Sequence, residues 1–343
     1  MATPNQMAYT LLDWRERLNP DGNVADIIEV LAQSNPILQD MTFMEGNLPT
    51  GIVTTRRSSL PEPSIRRINQ GVPYTKSSVK QIVDTATMYE ARNKMDVKLL
   101  ALQNDPARFR YSEDLAFVAG FGNKIAHDVI YGQTTDDTPD EFNGLDIRHR
   151  YFGNTDDPTA EGYTTIDMGG TGSKFTSIYF VNWGERTCSG FFPKNGQAGL
   201  KKEDLGQQTV SDPDGNEYEA MVTKWNWDVG LTVRDYRAVG ALRNIDAAWF
   251  SSATSAQKQK IIESVIRVHD RLRDGNAIMY CSRSMYTLFK LCLIDKNNVH
   301  VDLVTLQNGI KELRVDGMTV RKLDCIREDE SKIANAQEGR VNK

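Results

Sequence analysis

Apolar positions along the chain fall into two periods. Val24, Ile27, Ile28 and Leu31 repeat at three- and four-residue spacing, one stripe of a short helix that Pro36 stops. So short a helix is not stable alone and needs a surface to lie on. The clearest helical pattern covers 112–131, where Leu115, Val118, Ile125 and Val129 share a face with Gly122, and Phe117, Phe121 and Ile130 widen it. Ser112 is the expected N-cap, with Glu113 and Asp114 at the positive end of the helix dipole. Such a helix is about 30 Å long and can serve as a structural axis. Two more helices are expected over 255–274, closed by Gly275, and over 284–293.

The second period is two. Trp225, Trp227, Val229, Leu231 and Val233 alternate with polar or small residues and form one apolar strand face. That face and the helix face of Leu115, Val118 and Ile125 each need a partner, and they are expected to pack on one another. Residues 176–183 read as a strand, and 187–192 as its partner across a Gly184-Glu185 turn. Residues 193–216 read as Gly- and Pro-bearing loops. Shorter strands are expected over 277–281, 299–304 and 318–323. The order is α+β rather than a repeated βαβ.

Residues 48–92 have a different character. Gly51 to Thr55 starts a strand, Pro61 and Pro63 exclude a central strand position, Gln70-Gly71 marks a turn, and 78–88 returns. This long hairpin is poor in large apolar residues. Between Ile52 and Lys80 it carries Arg56, Arg57, Arg66, Arg67, Lys76 and Lys80 against the single acid Glu62. Alone in water it would be marginal. It is either a solvated flap or an arm that reaches a neighbouring subunit.

Composition adds mainly exclusions. The chain has 343 residues, 39% hydrophobic and 25% charged, with a net charge of −5. That describes an ordinary soluble protein without an overall nucleic-acid-binding charge. No apolar run approaches the roughly 18 residues of a membrane helix. The start of the chain lacks the pattern of a signal peptide. Cys188, Cys281, Cys292 and Cys325 are too far apart in sequence for C-x-x-C chemistry and read as reduced, buried thiols of a cytosolic protein.

Candidate chemistry is thin. His127-Asp128 and His269-Asp270 have the form of metal-hydrolase pairs, but a dinuclear centre needs more converging ligands. Thr187-Cys188-Ser189-Gly190 lacks an adjacent base. Gly169 to Gly172 lacks the Lys and Ser/Thr of a phosphate loop. Between Tyr131 and Leu145, Asp136, Asp137, Asp140 and Glu141 could hold a weak cation, but their spacing fits no EF-hand. A solvated corner shaped by Pro139 and Gly144 is the other reading. No catalytic, cofactor or metal residue is assigned.

Several segments resemble the major capsid proteins of tailed bacteriophages, the group with the HK97-like fold. Asn35 to Met41 followed by Glu45 to Gly51 resembles the arm leading into their extended loop, and Asn69 to Pro73 with Lys76-Ser77 resembles that loop's return. Tyr131 to Leu145 resembles the corner after their spine helix, and 176–184, 227–246 and 277–291 resemble later strands and a helix. The similarity covers most of the chain and is close to that of short-tailed phages.

The resemblance implies an N-terminal arm (1–43), an extended loop (44–92), a peripheral domain with the spine helix (93–145), a first axial part (146–217), peripheral strands (218–250) and a second axial part (251–343). It further implies pentamers and hexamers that tile an icosahedral shell around double-stranded DNA, without sequence-specific DNA binding or a membrane. The protein would belong to the virion and be assembled in the host bacterial cytoplasm. The helix-strand-helix segment 255–293 follows strands that it precedes in the best-known members, which a permuted connectivity would explain. No long helical N-terminal extension resembles a built-in scaffold, so a separate scaffolding protein is implied, with a portal and a decoration protein as further partners. The six basic hairpin residues become candidates for intersubunit contact. Another virion or tail structural protein, or a cytosolic enzyme with an unrecognised site, are the alternatives.

Overall fold

The computed structural model describes residues 35–102, 105–152, 162–212, 214–293, 300–305 and 311–333. In chain order the elements are α1 (Ile37–Asp40), β1 (Phe43–Glu45), β2 (Gly51–Ser59), β3 (Ser78–Thr85), β4 (Thr87–Asp96), α2 (Val97–Ala101), α3 (Pro106–Tyr131) and α4 (Leu145–Arg148). Then come β5 (Thr165–Asp167), β6 (Phe175–Asn182), β7 (Cys188–Phe192), β8 (Lys201–Ser211), β9 (Glu217–Val233), β10 (Val239–Asp246), α5 (Trp249–Ser252) and α6 (Ser255–Arg271). The last are β11 (Ala277–Cys281), α7 (Arg283–Cys292), β12 (Val301–Thr305), β13 (Lys311–Val315) and β14 (Met318–Lys322). The helical stripe of Val24 to Leu31 lies outside the described residues.

The long helix begins earlier than its apolar pattern. Pro106 takes the first helical position, where its missing N–H is no loss, and the Asp105 carboxylate accepts from the Arg108 backbone N–H at 3.0 Å. Ser112, the expected cap, lies inside the helix and donates to the Phe109 carbonyl at 2.8 Å.

Two compact units are present. The first takes 88–125 and 197–228 among its described residues. Here β8 pairs antiparallel with β9, from Lys201 opposite Asn226 to Ser211 opposite Glu217. Met95, Leu100 and Phe109 make a small core, with Met221 against it. Trp225 stacks on Phe117 of α3, ring centroids 6.2 Å apart. Lys202 pairs with Asp114 of α3, and Arg110 with Asp204 at 2.8 Å.

These contacts correct the expected helix–strand packing. Phe117, not Leu115 or Val118, meets the strand, and those two are 49% and 46% exposed. Glu113 and Asp114 are on the buried side, and the Asp114 charge is not left unpaired there because Lys202 of β8 reaches it. Strand β8 replaces an expected loop, because its outward polar residues show no apolar alternation.

The second unit takes the described residues of 34–87, 126–196 and 229–343. Its centre is a seven-stranded sheet in the order β12-β13-β14-β11-β6-β10-β5. All eight positions of β6 and all eight of β10 are buried. Alternation sends Ile178, Phe180 and Leu242 to one face, where they join Ile261, Val265 and Val268 of α6 and Met285, Leu288 and Phe289 of α7 in the main core. Thr254 and Gln257 close α6 with a capping box. Gly240 lets α6 come close, since a Cβ there would sit 2.9 Å from the Val268 side chain.

The other face of this sheet carries a buried polar cluster. Arg243 is 1% exposed and is held by Asp146 and the Tyr179 hydroxyl, with Glu330 at 4.0 Å. Tyr131 donates to Glu330 at 2.6 Å, and Arg150 to Asp146 at 2.7 Å. Burial pushes the Asp146 carboxyl up, but Arg243 and Arg150 outweigh it and hold it below the usual range. His149 is buried beside this cluster, and burial pushes its imidazole down to about 3.

Strands β6 and β7 do not form the expected hairpin. β6 lies between β10 and β11, while β7 pairs with the end of β9 and, in parallel, with β1. β10, expected with the long helix, sits between β6 and β5 instead. The expected pieces 44–92, 93–145, 146–217 and 218–250 are each divided by the unit boundaries, after Thr87, Ile125, Gly196 and Asp228. Three of those boundaries fall inside continuous elements, β4, α3 and β9.

Candidate assembly site

The feature that stands apart is the β2–β3 arm of the second unit. Its strands run in register from Gly51 opposite Thr85 to Arg57 opposite Val79. Every residue from Arg57 to Gln81 is exposed. The tip turns at Arg67 to Gln70, closed by a 3.2 Å backbone hydrogen bond, with Asn69 at φ 66°. Asparagine tolerates that left-handed position better than most residues.

The arm is fixed at its root. Asp84, 7% exposed, accepts from the Arg148 guanidinium at 2.8 Å and from the Thr232 hydroxyl at 2.8 Å. Arg148 also donates to the carbonyls of Asn143 and Leu231, both at 3.2 Å. The Thr87 hydroxyl donates to the Asp140 carbonyl at 2.8 Å and accepts from the Phe142 N–H at 2.9 Å. Gly51 is required at the base, because a Cβ there would lie 2.3 Å from the Asp84 carbonyl oxygen.

The acidic corner of 131–145 therefore brackets the arm. Its backbone is drawn together by Gly144 N–H donating to the Gly132 carbonyl at 2.8 Å, and Phe142 and Leu145 are buried. Asp136, Asp137 and Asp140 point outward as exposed residues, with Glu141 half-buried. Among the described residues no group of three or more His, Cys, Asp or Glu side chains is arranged to hold a metal.

The six basic residues separate into two kinds. Arg56 turns back and donates to the Val233 carbonyl, so it belongs to the root. Arg57, Arg66, Arg67, Lys76 and Lys80 are exposed along the shaft and tip. Lys80 lies directly opposite Arg56 in the register, a like-charge juxtaposition that is unfavourable by itself. The exposed arm also carries apolar residues that sequence reasoning left aside. Ile65, Ile68 and Tyr74 are 94%, 92% and 107% exposed. Their signal was their presence between the basic residues of a hairpin with no apolar face. Asp84 and Arg148 gave no such signal, since neither belongs to a motif.

The other chemical candidates have structural settings. His127 lies 3.0 Å from Asp128 and accepts from Arg327 at 3.1 Å, and His269 lies 2.7 Å from Asp316. Cys188 is buried, and burial pushes its thiol up to about 12, far from a reactive thiolate. Gly172 donates its N–H to Asp246 at 2.9 Å rather than facing an open anion site. Among the described residues no helix is long and apolar enough to cross a membrane.

The family described as major capsid protein GP7 matches residues 19–334. No curated protein matches the chain. Among solved structures, the chain is similar to one from bacteriophage Epsilon15, with 28% identity and a TM-score of 0.76 over 98% of this chain and 100% of that one. It is also similar in fold to a chain of the bacteriophage JBD30 capsid, with 10% identity and a TM-score of 0.53 over 88% of this chain and 95% of that one.

Proposed function

We propose how this protein works from one premise: the chain belongs to the major capsid protein GP7 family. It is a structural protein of the phage virion and has the HK97-like fold. Copies of the chain assemble as hexamers and pentamers into an icosahedral shell that encloses double-stranded DNA. The reading rests chiefly on the arm, a basic hairpin whose residues 57–81 are all exposed although they include Ile65, Ile68 and Tyr74. Exposed apolar residues in such a group favour contact with another chain. The arm lies on a neighbouring subunit, and its positive charge selects an acidic surface there and sets the register.

In this reading the arm is the extended loop, the first unit contributes the peripheral domain, and the seven-stranded sheet with α6 and α7 forms the axial domain. The role requires no catalysis. A separate scaffolding protein, a portal and a decoration protein are its partners, and assembly takes place in the cytoplasm of the host bacterium. A net charge of −5 suits a wall that encloses DNA without gripping its phosphates. Negative-stain imaging of the purified protein, expressed with its scaffold, tests the reading. Closed shells or hexameric rings are expected, and a uniform small particle would contradict it.

A further inference from the structure

The connection between β5 and β6 carries the glycines of 169–172, which lack the pattern of a phosphate loop. Their backbone N–H groups are occupied. Gly169 donates to the Asp167 carboxylate at 2.8 Å, Gly170 to the Asn244 carbonyl at 3.1 Å and Gly172 to the Asp246 carboxylate at 2.9 Å. A Cβ at Gly170 would sit 2.5 Å from the Asn244 carbonyl oxygen, so glycine lets the loop lie against β10.

Side chains supply what this backbone does not. Lys260, from the second turn of α6, donates to the Met168 carbonyl at 3.0 Å. Lys332, from the chain after β14, donates to the Gly170 carbonyl at 2.8 Å. Lys174 stands in the loop itself, and all three lysines are exposed. A carbonyl fixes an ammonium group without neutralising it, and each ammonium keeps donors for a further acceptor. Among the described residues none of the three enters an ion pair. The two acids beside the loop are engaged with neutral donors. Asp167 accepts from Gly169 and from the Asn244 amide, and Asp246, 7% exposed, accepts from the N–H groups of Gly172 and Ala248. Thr171 and Ser173 add exposed hydroxyls. Three lysines from three parts of the chain, against two tied acids, make a positive spot on a chain of net charge −5.

We propose that this loop is a phosphate contact, where Lys174, Lys260 and Lys332 hold the backbone of double-stranded DNA without reading its bases. The ligand class follows from the donors, since exposed ammonium groups meet phosphate oxygens as point charges. That the phosphates are those of a duplex rests on the capsid reading. One such spot touches the enclosed DNA lightly, in keeping with an acidic body elsewhere.

Titrating the unassembled subunit into a short fluorescent duplex at several salt concentrations tests the contact, because shells need not form. Replacing all three lysines by Ala should weaken binding at low salt on the order of tenfold, and should flatten the fall of log K with log salt by about 2.7, three contacts at about 0.9 each. Replacing them by Arg should preserve both quantities. Lys194, Lys311 and Lys322 are exposed outside the loop and serve as the control. Their triple Ala variant removes the same charge and should leave the salt slope as it is. Equal losses from the two Ala variants, or no loss from the loop variant, would overturn the proposal. Loss in the Arg variant as well would put the lysines in a structural role and contradict it. Displacement of the duplex by poly-glutamate at equal charge would assign the loop to an acidic protein segment instead. Shells without loop-dependent binding refute the contact alone, whereas loop-dependent binding without shells leaves the contact standing and counts against the capsid reading.

Discussion

Asp84 and Arg148 meet at 2.8 Å where the arm leaves the body, one from the returning strand and the other from the helix after the acidic corner. Their side chains are 7% and 19% exposed, so water screens the pair little. Removing one partner of such a pair strands the other and costs about 3–5 kcal/mol. Arg148→Met should therefore lower the urea midpoint of the unassembled subunit by an amount of that order. Asp84→Asn, which keeps an acceptor for Thr232, should cost less. Equal stability of the Arg148 variant and the parent protein would show that the root does not depend on this pair.

Reversing the tip charge is expected to act on assembly and not on the fold. Arg66→Glu with Arg67→Glu should leave circular dichroism unchanged, because both residues are exposed. Shell yield at low salt should fall on the order of tenfold, since attraction to an acidic neighbour becomes repulsion. Normal shells from the double variant would remove the basic tip from the intersubunit contact.

The base of the arm should reject even one methyl group. Gly51→Ala places a Cβ against backbone, 2.3 Å from the Asp84 carbonyl oxygen, where no side chain can move aside. The strands must separate locally, at a cost of about 1–3 kcal/mol, the range of other overpacking substitutions. Thermal unfolding of the variant checks this. Gly71→Ala at the open tip, where a Cβ meets nothing within 4 Å, should be nearly silent.

His149 makes stability depend on acid. Its pKa falls from the ordinary imidazole value of 6.5 to about 3 in the folded protein, chiefly through burial, with Arg243 and Arg148 adding to the effect. The stabilisation from keeping this ring neutral is full above pH 6.5 and is lost as pH falls towards the folded value, because only the unfolded chain takes up the proton readily. Between those values the group should contribute a slope of roughly 1.4 kcal/mol per pH unit. His149→Gln should flatten the fall in stability between pH 6 and pH 4, read by urea titrations of the unassembled subunit. An unchanged slope would place the acid sensitivity elsewhere.

Much of this architecture was legible because one apolar face determines an element. Helix α6 and strand β11 appeared close to their true positions, since Ile261, Val265 and Val268 or the run Ala277 to Cys281 have one way to be buried. Strand β8 was illegible, because its residues are mostly exposed and its partner β9 supplies the apolar positions. The face of α3 was misread for a related reason. Apolar periodicity marked Leu115 and Val118 as inward, whereas the strand is met by Phe117, on the side where Asp114 finds Lys202. Of the arm, the basic residues were legible as a charge imbalance. Its root was not, because Asp84, Arg148 and Thr232 are brought together from distant parts of the chain.

The central expectation is association through protein surfaces that persists without added metal. Sedimentation velocity of the protein expressed with its scaffold, run over a range of concentration and salt with and without a chelator, measures this most directly. Capsomers or shells that grow with concentration and persist in chelator are expected. A stable monomer at every concentration and salt, or assemblies that dissolve when metal is removed, would contradict it.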